Sequence, residues 1–139
     1  MKYPFVLERD EDGWLVRFPD VPEALTGVRD PEAEQEEIAD CLITALAAYA
    51  ANGEPFPHAS PDTDAAGVIA VPALIQAKLA LIRAMTEEGI GLRELARRLG
   101  ADPKQVHRLL DLNHRSHIDA LERALAALGR RLAISARAA

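Results

Sequence analysis

The most informative segment of this chain is residues 92–110, which read LRELARRLGADPKQVHRLL. Apolar side chains recur at helical spacing on both sides of Gly100, and this pattern predicts two short helices. Gly100 can take a positive φ and end the first helix. Asp102 can cap the second helix, and Pro103 suits the first helical position because the backbone N–H that it lacks would have no partner there. The break is short, so we expect the two helices to cross at a steep angle.

Helical patterns continue on both sides of this pair. Residues 73–88 carry an apolar stripe at helical spacing. After the pair, Ser116 and Asp119 have the spacing of a capping box, and they predict a last helix that reaches about Leu128. Residues 72–139 are therefore expected to form an all-helical domain.

The first half of the chain has the pattern of a sheet. Residues 3–18 read as a β-hairpin because two β-rich runs flank the Asp-Gly pair at 12–13, which is a turn signal. Pro19 and Pro22 then predict a rigid loop that interrupts the ladder of backbone hydrogen bonds. A short strand over 24–28 is expected to follow this loop.

A long helix and a returning strand complete this half. Asp30 suits the N-cap of a helix over 31–51, whose glutamate-rich first turns favour the positive end of the helix dipole. After a proline-rich loop, the apolar run 68–71 predicts a buried strand. Residues 1–71 thus read as a ββ(β)αβ unit, and the chain as an α+β protein with this unit as its first domain.

The two halves differ in charge. The whole chain has a formal net charge of −6. Residues 1–67 carry four basic and fifteen acidic side chains, a net charge of −11, whereas residues 68–139 carry twelve basic and seven acidic ones, a net charge of +5. This asymmetry suggests separate partners for the two halves, the second half being suited to phosphate. The alternative is an ordinary solvated surface with uneven charge.

Composition excludes several classes of protein. Hydrophobic residues make up 49% of the 139 residues, which is enough for packed cores. No apolar run approaches the ~20 residues that span a bilayer, and the N-terminus lacks the apolar core of a signal peptide, so we expect a cytoplasmic protein with no membrane partner. The single cysteine, Cys41, excludes an intramolecular disulfide and a cysteine-cluster metal site, and we expect its side chain to be buried.

The first half resembles the HicB family, the antitoxins of bacterial HicA–HicB toxin–antitoxin pairs. The resemblance covers about residues 3–60 and rests on four segments: YPFVLE at 3–8, the turn at 10–13, VRFPDVP at 16–22 together with Thr26, and GEPFP at 53–57 after an acidic helix. Two segments depart from the family pattern. Glu23-Ala24 and the residues at 28–30 stand where the family usually has Gly-Cys and Gly-Asp-Thr.

The second half is similar to the lambda-repressor-like (Xre-type) helix-turn-helix domains over about residues 73–135. Ala96, Gly100 and Val106 match the small–Gly–aliphatic offsets of those domains. Together the resemblances imply a degraded ribonuclease-H-like first domain that binds and blocks a HicA-type toxin, a small basic ribonuclease that cleaves mRNA. They also imply that the second domain represses the promoter of its own operon.

Repressors of this kind bind two-fold symmetric operators in double-stranded DNA, so we expect a homodimer or a higher even oligomer. The alternating tail over 131–135 is a candidate strand at a dimer contact. No enzyme activity and no cofactor are expected.

The second helix of the pair offers a polar face for DNA. Its apolar stripe is expected to point inward, which leaves four residues on the solvent side. These are Lys104, Gln105, His107 and Arg108. Glutamine can read adenine and arginine can read guanine through paired hydrogen bonds, while Arg93 and Arg115 would contact the flanking phosphate backbone. The alternative for all six is an ordinary solvated helical surface.

Acidic groups of the first domain are candidates for binding the toxin. They could occupy the positions that RNA phosphates take on a basic ribonuclease surface, and they could steer its association. The candidates are Asp10, Glu11, Asp12, Asp20 and Glu23. The alternative is that these side chains are simply solvated.

Three other functions remain compatible with the sequence. A metal-dependent nuclease would need three or four carboxylates around two Mg²⁺ ions, and only Glu8 lies on a predicted strand. A zinc site could use His107, His114 and His117, although the last two flank a helix start instead of facing inward one turn apart. The chain could also be a stand-alone Xre-like regulator whose first domain serves in dimerisation or small-ligand sensing. We expect no catalytic and no metal-binding residues.

Overall fold

The computed structural model describes residues 1–61 and 64–138. The chain divides into two compact units. The first comprises Met1–Tyr49 with Glu54–Pro72 and is called the sheet unit below. The second comprises Ala50–Gly53 with Ala73–Ala139 and is called the helical unit.

The sheet unit contains a four-stranded sheet in the order β3-β2-β1-β4, with antiparallel pairing throughout. Its elements are β1 (Lys2–Asp10), β2 (Gly13–Phe18), β3 (Val21–Val28), α1 (Gln35–Ala51), whose last two residues count with the helical unit, and β4 (Gly67–Ala70). Side chains that alternate along β2 enter the core, since Val16 and Phe18 are buried while Arg17 between them is exposed. The predicted hairpin and the α+β class are confirmed.

The proline loop predicted over 18–22 is shorter than expected. Only Pro19 and Asp20 form the turn, and Pro22 lies inside β3. β3 is an edge strand of the sheet, where a residue without an N–H removes no ladder bond. Its pairing with β2 also shifts at this point, so the strand bulges around Pro22 before regular pairing resumes at Leu25.

Gly13 has a different role from the one predicted for it. The two turn residues of the hairpin are Glu11 and Asp12, and Gly13 already pairs with Asp10 as the first residue of β2. Its φ is not positive. A Cβ at this position would overlap the carbonyl oxygen of Val28. The glycine therefore allows the end of β3 to pack directly against the hairpin turn.

We expect Gly13→Ala to lower the free energy of unfolding of the sheet unit by about 1–3 kcal/mol, because a backbone segment must move to admit the methyl group. Chemical denaturation followed by Trp14 fluorescence measures this, since the single tryptophan lies on β2. Gly27→Ala is the matched control, because a Cβ there would meet only the carbonyl oxygen of Trp14, at 3.9 Å. Equal losses in the two variants would contradict the role given to Gly13.

Helix α1 starts four residues later than predicted, after a turn over 31–34. The Asp30 carboxylate accepts from the backbone N–H groups of Glu32 and Ala33 at 3.1 and 3.4 Å, and so caps this turn. The apolar face of α1 is buried at Ile38, Leu42, Ala45 and Leu46. Cys41 is only half-buried, which corrects the expectation of a fully buried side chain, and this burial raises the pKa of its thiol.

The helical unit is built from four helices. These are α2 (Ala73–Glu88), α3 (Leu92–Leu99), α4 (Pro103–Leu110) and α5 (Ile118–Ala127). All four contribute to one apolar core, with Leu81, Leu95, Val106 and Leu121 fully buried. The predicted apolar stripes are confirmed. No helix in the described parts of the chain is long and apolar enough to cross a membrane.

The capping box predicted at Ser116 and Asp119 was wrong. His117, not Ser116, is the N-cap of α5, and no side chain caps this helix. The Ser116 hydroxyl is bound elsewhere, as described below. The tail over 131–135 forms no strand in the single chain, and Ile134 is 69% exposed.

Candidate nucleic-acid interface

The turn between α3 and α4 has the predicted geometry. Gly100 is in the left-handed region, with φ 61° and ψ 34°. The Asp102 carboxylate accepts from the backbone N–H of Lys104 at 2.8 Å, and Pro103 opens α4. Because the turn is closed by backbone bonds and by this cap, it orients α4 without help from a ligand.

The six predicted DNA-binding residues are all exposed in the helical unit. Val106 and Leu109 of α4 are buried, so the opposite side of the helix faces solvent. That side carries Lys104, Gln105, His107 and Arg108. Arg93 lies in the first turn of α3, and Arg115 lies in the loop between α4 and α5. One continuous chain segment thus carries all six.

Gln105 has a second role that was not predicted. Its side-chain oxygen accepts from the backbone N–H of Asp102 at 3.3 Å, which closes a capping box at the start of α4. The signal was present in the sequence, since Asp102 and Gln105 have capping-box spacing. Reading adenine with both amide atoms would require this bond to be exchanged for one to the base.

The largest feature missed by the sequence reasoning is Lys78. Its side chain is fully buried in α2. The ammonium donates to the carbonyl oxygens of Arg108, Asp111 and His114 at 2.9, 2.6 and 2.7 Å, and to the Ser116 hydroxyl at 2.9 Å. Burial lowers the pKa of Lys78, and the charge of Asp111 opposes this.

These bonds fix the end of α4. The last carbonyl groups of a helix have no partner within the helix and carry its negative dipole end, so a buried cation there satisfies them. The same ammonium holds the loop that presents Arg115. The signal for this role was a lysine on the apolar stripe of α2, between Leu74 and Leu81.

Other charges of α3 are already paired. The Glu94 carboxylate accepts from Arg97 at 2.6 Å and from Arg98 at 3.2 Å, and these hydrogen bonds lower its pKa to about 2. Part of the positive charge of α3 is therefore balanced within the helix, whereas the basic groups of α4 have no carboxylate within ion-pair distance among the described residues.

The five predicted toxin-binding acids fall into two groups. Asp10, Glu11 and Asp12 are exposed at the tip of the β1–β2 hairpin. Asp20 is half-buried and accepts from the backbone N–H and the hydroxyl of Ser60, at 2.9 and 2.7 Å. Glu23 accepts from the Tyr49 hydroxyl at 2.8 Å. The last two side chains thus hold parts of the sheet unit together.

Metal ligands do not cluster in the described residues, in which no three His, Cys, Asp or Glu side chains are placed to hold an ion. The three histidines considered for zinc have different surroundings. His107 is exposed on α4, His114 contacts the Ser116 hydroxyl at 3.2 Å, and His117 is the N-cap of α5.

Comparison with known proteins identifies the family. Residues 2–80 match the family described as HicB_like antitoxin of bacterial toxin-antitoxin system. Antitoxin HicB 2 of Photorhabdus laumondii subsp. laumondii is 40% identical over 136 residues, which cover 98% of this chain and 96% of that protein. Antitoxin HicB of Escherichia coli strain K12 is 36% identical over 135 residues, covering 96% and 98%.

Antitoxin HicB of Pseudomonas fluorescens is 36% identical over 141 residues, which cover 99% of this chain and 96% of that protein. Each of these similarities extends over almost the whole length of both aligned proteins, so it includes the helical unit as well as the sheet unit. Such antitoxins are regulators of a cognate toxin and not enzymes. The chain belongs to the HicB-like antitoxins of bacterial toxin–antitoxin systems.

Proposed function

We propose that this antitoxin neutralises a HicA-type mRNA-cleaving toxin by direct binding and represses its own operon by sequence-specific DNA binding. Residues 1–71 would bind the toxin, and residues 72–139 would act as a helix-turn-helix domain on the operator. Both targets are cytoplasmic. The observation that carries the DNA-binding part is the polar face of α4, which is exposed on a helix held at its start by Asp102 and at its end by Lys78.

For the operator, α4 is the recognition helix. Gln105 and Arg108 would read base edges in the major groove, and Arg93 and Arg115 would bind phosphates beside it. A homodimer would place two such helices on half-sites about 34 Å apart, or a multiple of that distance. An electrophoretic mobility shift with the DNA upstream of the operon, at several salt concentrations, tests this. Equal affinity for upstream and unrelated DNA would contradict it.

For the toxin, the exposed acids of the hairpin tip are the best-placed of the five candidates, because Asp20 and Glu23 already bind other groups of the sheet unit. The tip presents three consecutive carboxylates, one on the last residue of β1 and two in the turn. A negative surface of this kind attracts a basic ribonuclease over a distance and competes with RNA phosphates. Co-purification with a small basic protein encoded beside this chain tests the interaction. If no such protein binds, a stand-alone regulator is the better description.

Neutralising the tip should slow association with the toxin. We expect the triple variant Asp10→Asn, Glu11→Gln, Asp12→Asn to lower the association rate constant about tenfold at low salt, with the difference shrinking as salt screens the charges. Surface plasmon resonance measures both effects. The control removes three acids from the turn before α1 and from its first helical turn instead, with Glu32→Gln, Glu36→Gln and Glu37→Gln. The same loss in both triple variants would show that only net charge matters.

A further inference from the structure

A basic groove runs along one flank of α4 in the helical unit. It has a volume of about 640 Å³ and is bounded by the end of α3, by α4, by the α4–α5 loop and by α5. Each of these four walls contributes one arginine. They are Arg98, Arg108, Arg115 and Arg123. No aspartate or glutamate is present among its lining residues, all of which the structure describes, and of the four arginines only Arg98 is in an ion pair, with Glu94 of α3.

Apolar side chains of two sizes line the groove, namely Leu99, Val106 and Leu109 and a set of alanines. Ala101, Ala120 and Ala127 are half-buried there. Alanine has no atoms beyond Cβ, so a ligand chain can come close to the backbone of α5 there. The four arginines make the groove positively charged, which suits an anionic ligand.

We propose that this groove holds the sugar–phosphate backbone that borders the stretch of major groove read by α4. This inference rests on the proposed DNA-binding function and extends the interface to α5. The major groove is about 12 Å wide, and a helix with its side chains is about 10–12 Å across. A duplex that takes α4 in its major groove must therefore run its backbones along the flanks of α4, and this groove is one of those flanks.

The groove is held in shape before any ligand binds. Lys78 donates to Arg108, His114 and Ser116, which are three of the lining residues. A preformed site loses less conformational entropy on binding than a mobile one. Arginine is also the side chain best suited to phosphate, since its planar guanidinium can donate two parallel hydrogen bonds.

The groove fits a second copy of the chain less well. The tail of a second copy carries Arg131 and Arg137 and has no acidic residue after Glu122, so it would bring like charges to the arginines of the groove. Charge complementarity therefore favours DNA as the occupant.

Arg123→Ala in the full-length chain tests the proposal, because Arg123 lies on α5, outside the residues assigned to the recognition helix. We expect affinity for the operator and for unrelated DNA to fall by the same factor. The slope of log K against log salt should become shallower by about 0.9, the contribution of one phosphate. Ethylation interference should lose a phosphate signal at the edge of each half-site. Arg29→Ala, which removes an exposed arginine from the sheet unit, is the control and should change none of these.

The two proposals fail in different ways. If Arg108→Ala loses operator preference while Arg123→Ala leaves the salt slope and the interference pattern unchanged, the DNA-binding function stands and the groove proposal is wrong. If Arg123→Ala instead converts a dimer to a monomer in analytical ultracentrifugation with its salt slope unchanged, the groove is a contact between copies, and the proposal is again wrong. If the wild-type chain binds no DNA, both proposals fall.

Discussion

Lys78→Met should lower the free energy of unfolding of the helical unit by about 3 kcal/mol, because several acceptors lose a charged donor and each such loss costs about 1–3 kcal/mol. Methionine is similar to lysine in length and fills the same space, so lost packing contributes little. Three backbone carbonyl groups and the Ser116 hydroxyl lose their bond to the ammonium.

Thermal and chemical denaturation followed by far-UV circular dichroism measure this loss through the helices. Trp14 fluorescence is read in parallel, because the single tryptophan lies in the sheet unit. Lys104→Met is the matched control, since it removes the same group from an exposed position on α4 and should change stability by less than about 0.5 kcal/mol. If the two lysine variants are equally stable, the hydrogen bonds of Lys78 are not what holds the end of α4. Ser116→Ala leaves the three carbonyl acceptors of the ammonium in place and removes only the hydroxyl, which accepts from Lys78 and donates to the Arg108 carbonyl, so its stability should fall between those of the two lysine variants.

Arg108→Ala should lose the preference for the operator, by about 1–3 kcal/mol for each half-site, because a bidentate arginine–guanine contact distinguishes one base pair from the others. Affinity for unrelated DNA should change much less. The substitution changes only the side chain, so the backbone carbonyl of residue 108 still accepts from Lys78. The end of α4 therefore keeps this hydrogen bond.

Arg115→Ala is expected to behave differently. It should weaken binding to all sequences alike and make the salt dependence shallower by about 0.9, as the loss of one phosphate contact does. Titration of operator and unrelated duplexes at several salt concentrations separates the two patterns. Equal effects of the two substitutions on operator preference would contradict the division into a base-reading helix and a phosphate-binding loop.

Local sequence patterns determined the turn between α3 and α4, the exposed face of α4 and the β1–β2 hairpin. Gly100, Asp102 and Pro103 specify the turn between α3 and α4 by their own backbone preferences, so the turn could be predicted without knowing its surroundings. The exposed face of α4 followed from the buried stripe, because helical spacing relates the two faces. Alternation along β2 identified the hairpin, and the segments at 3–8, 16–22 and 53–57 pointed to the HicB family.

Only the tertiary structure decided which polar groups meet. Lys78 binds acceptors that lie 30 to 38 positions further along the chain. Asp20 meets Ser60 at a separation of 40 residues, and Gly13 is required by the position of Val28. The groove likewise takes one arginine from each of four separate segments. Hydrophobic periodicity and turn chemistry act over a few residues, so they specify secondary-structure elements and the buried face of each element. The partners of a buried charge depend on how those elements pack against each other, and no local pattern encodes that packing.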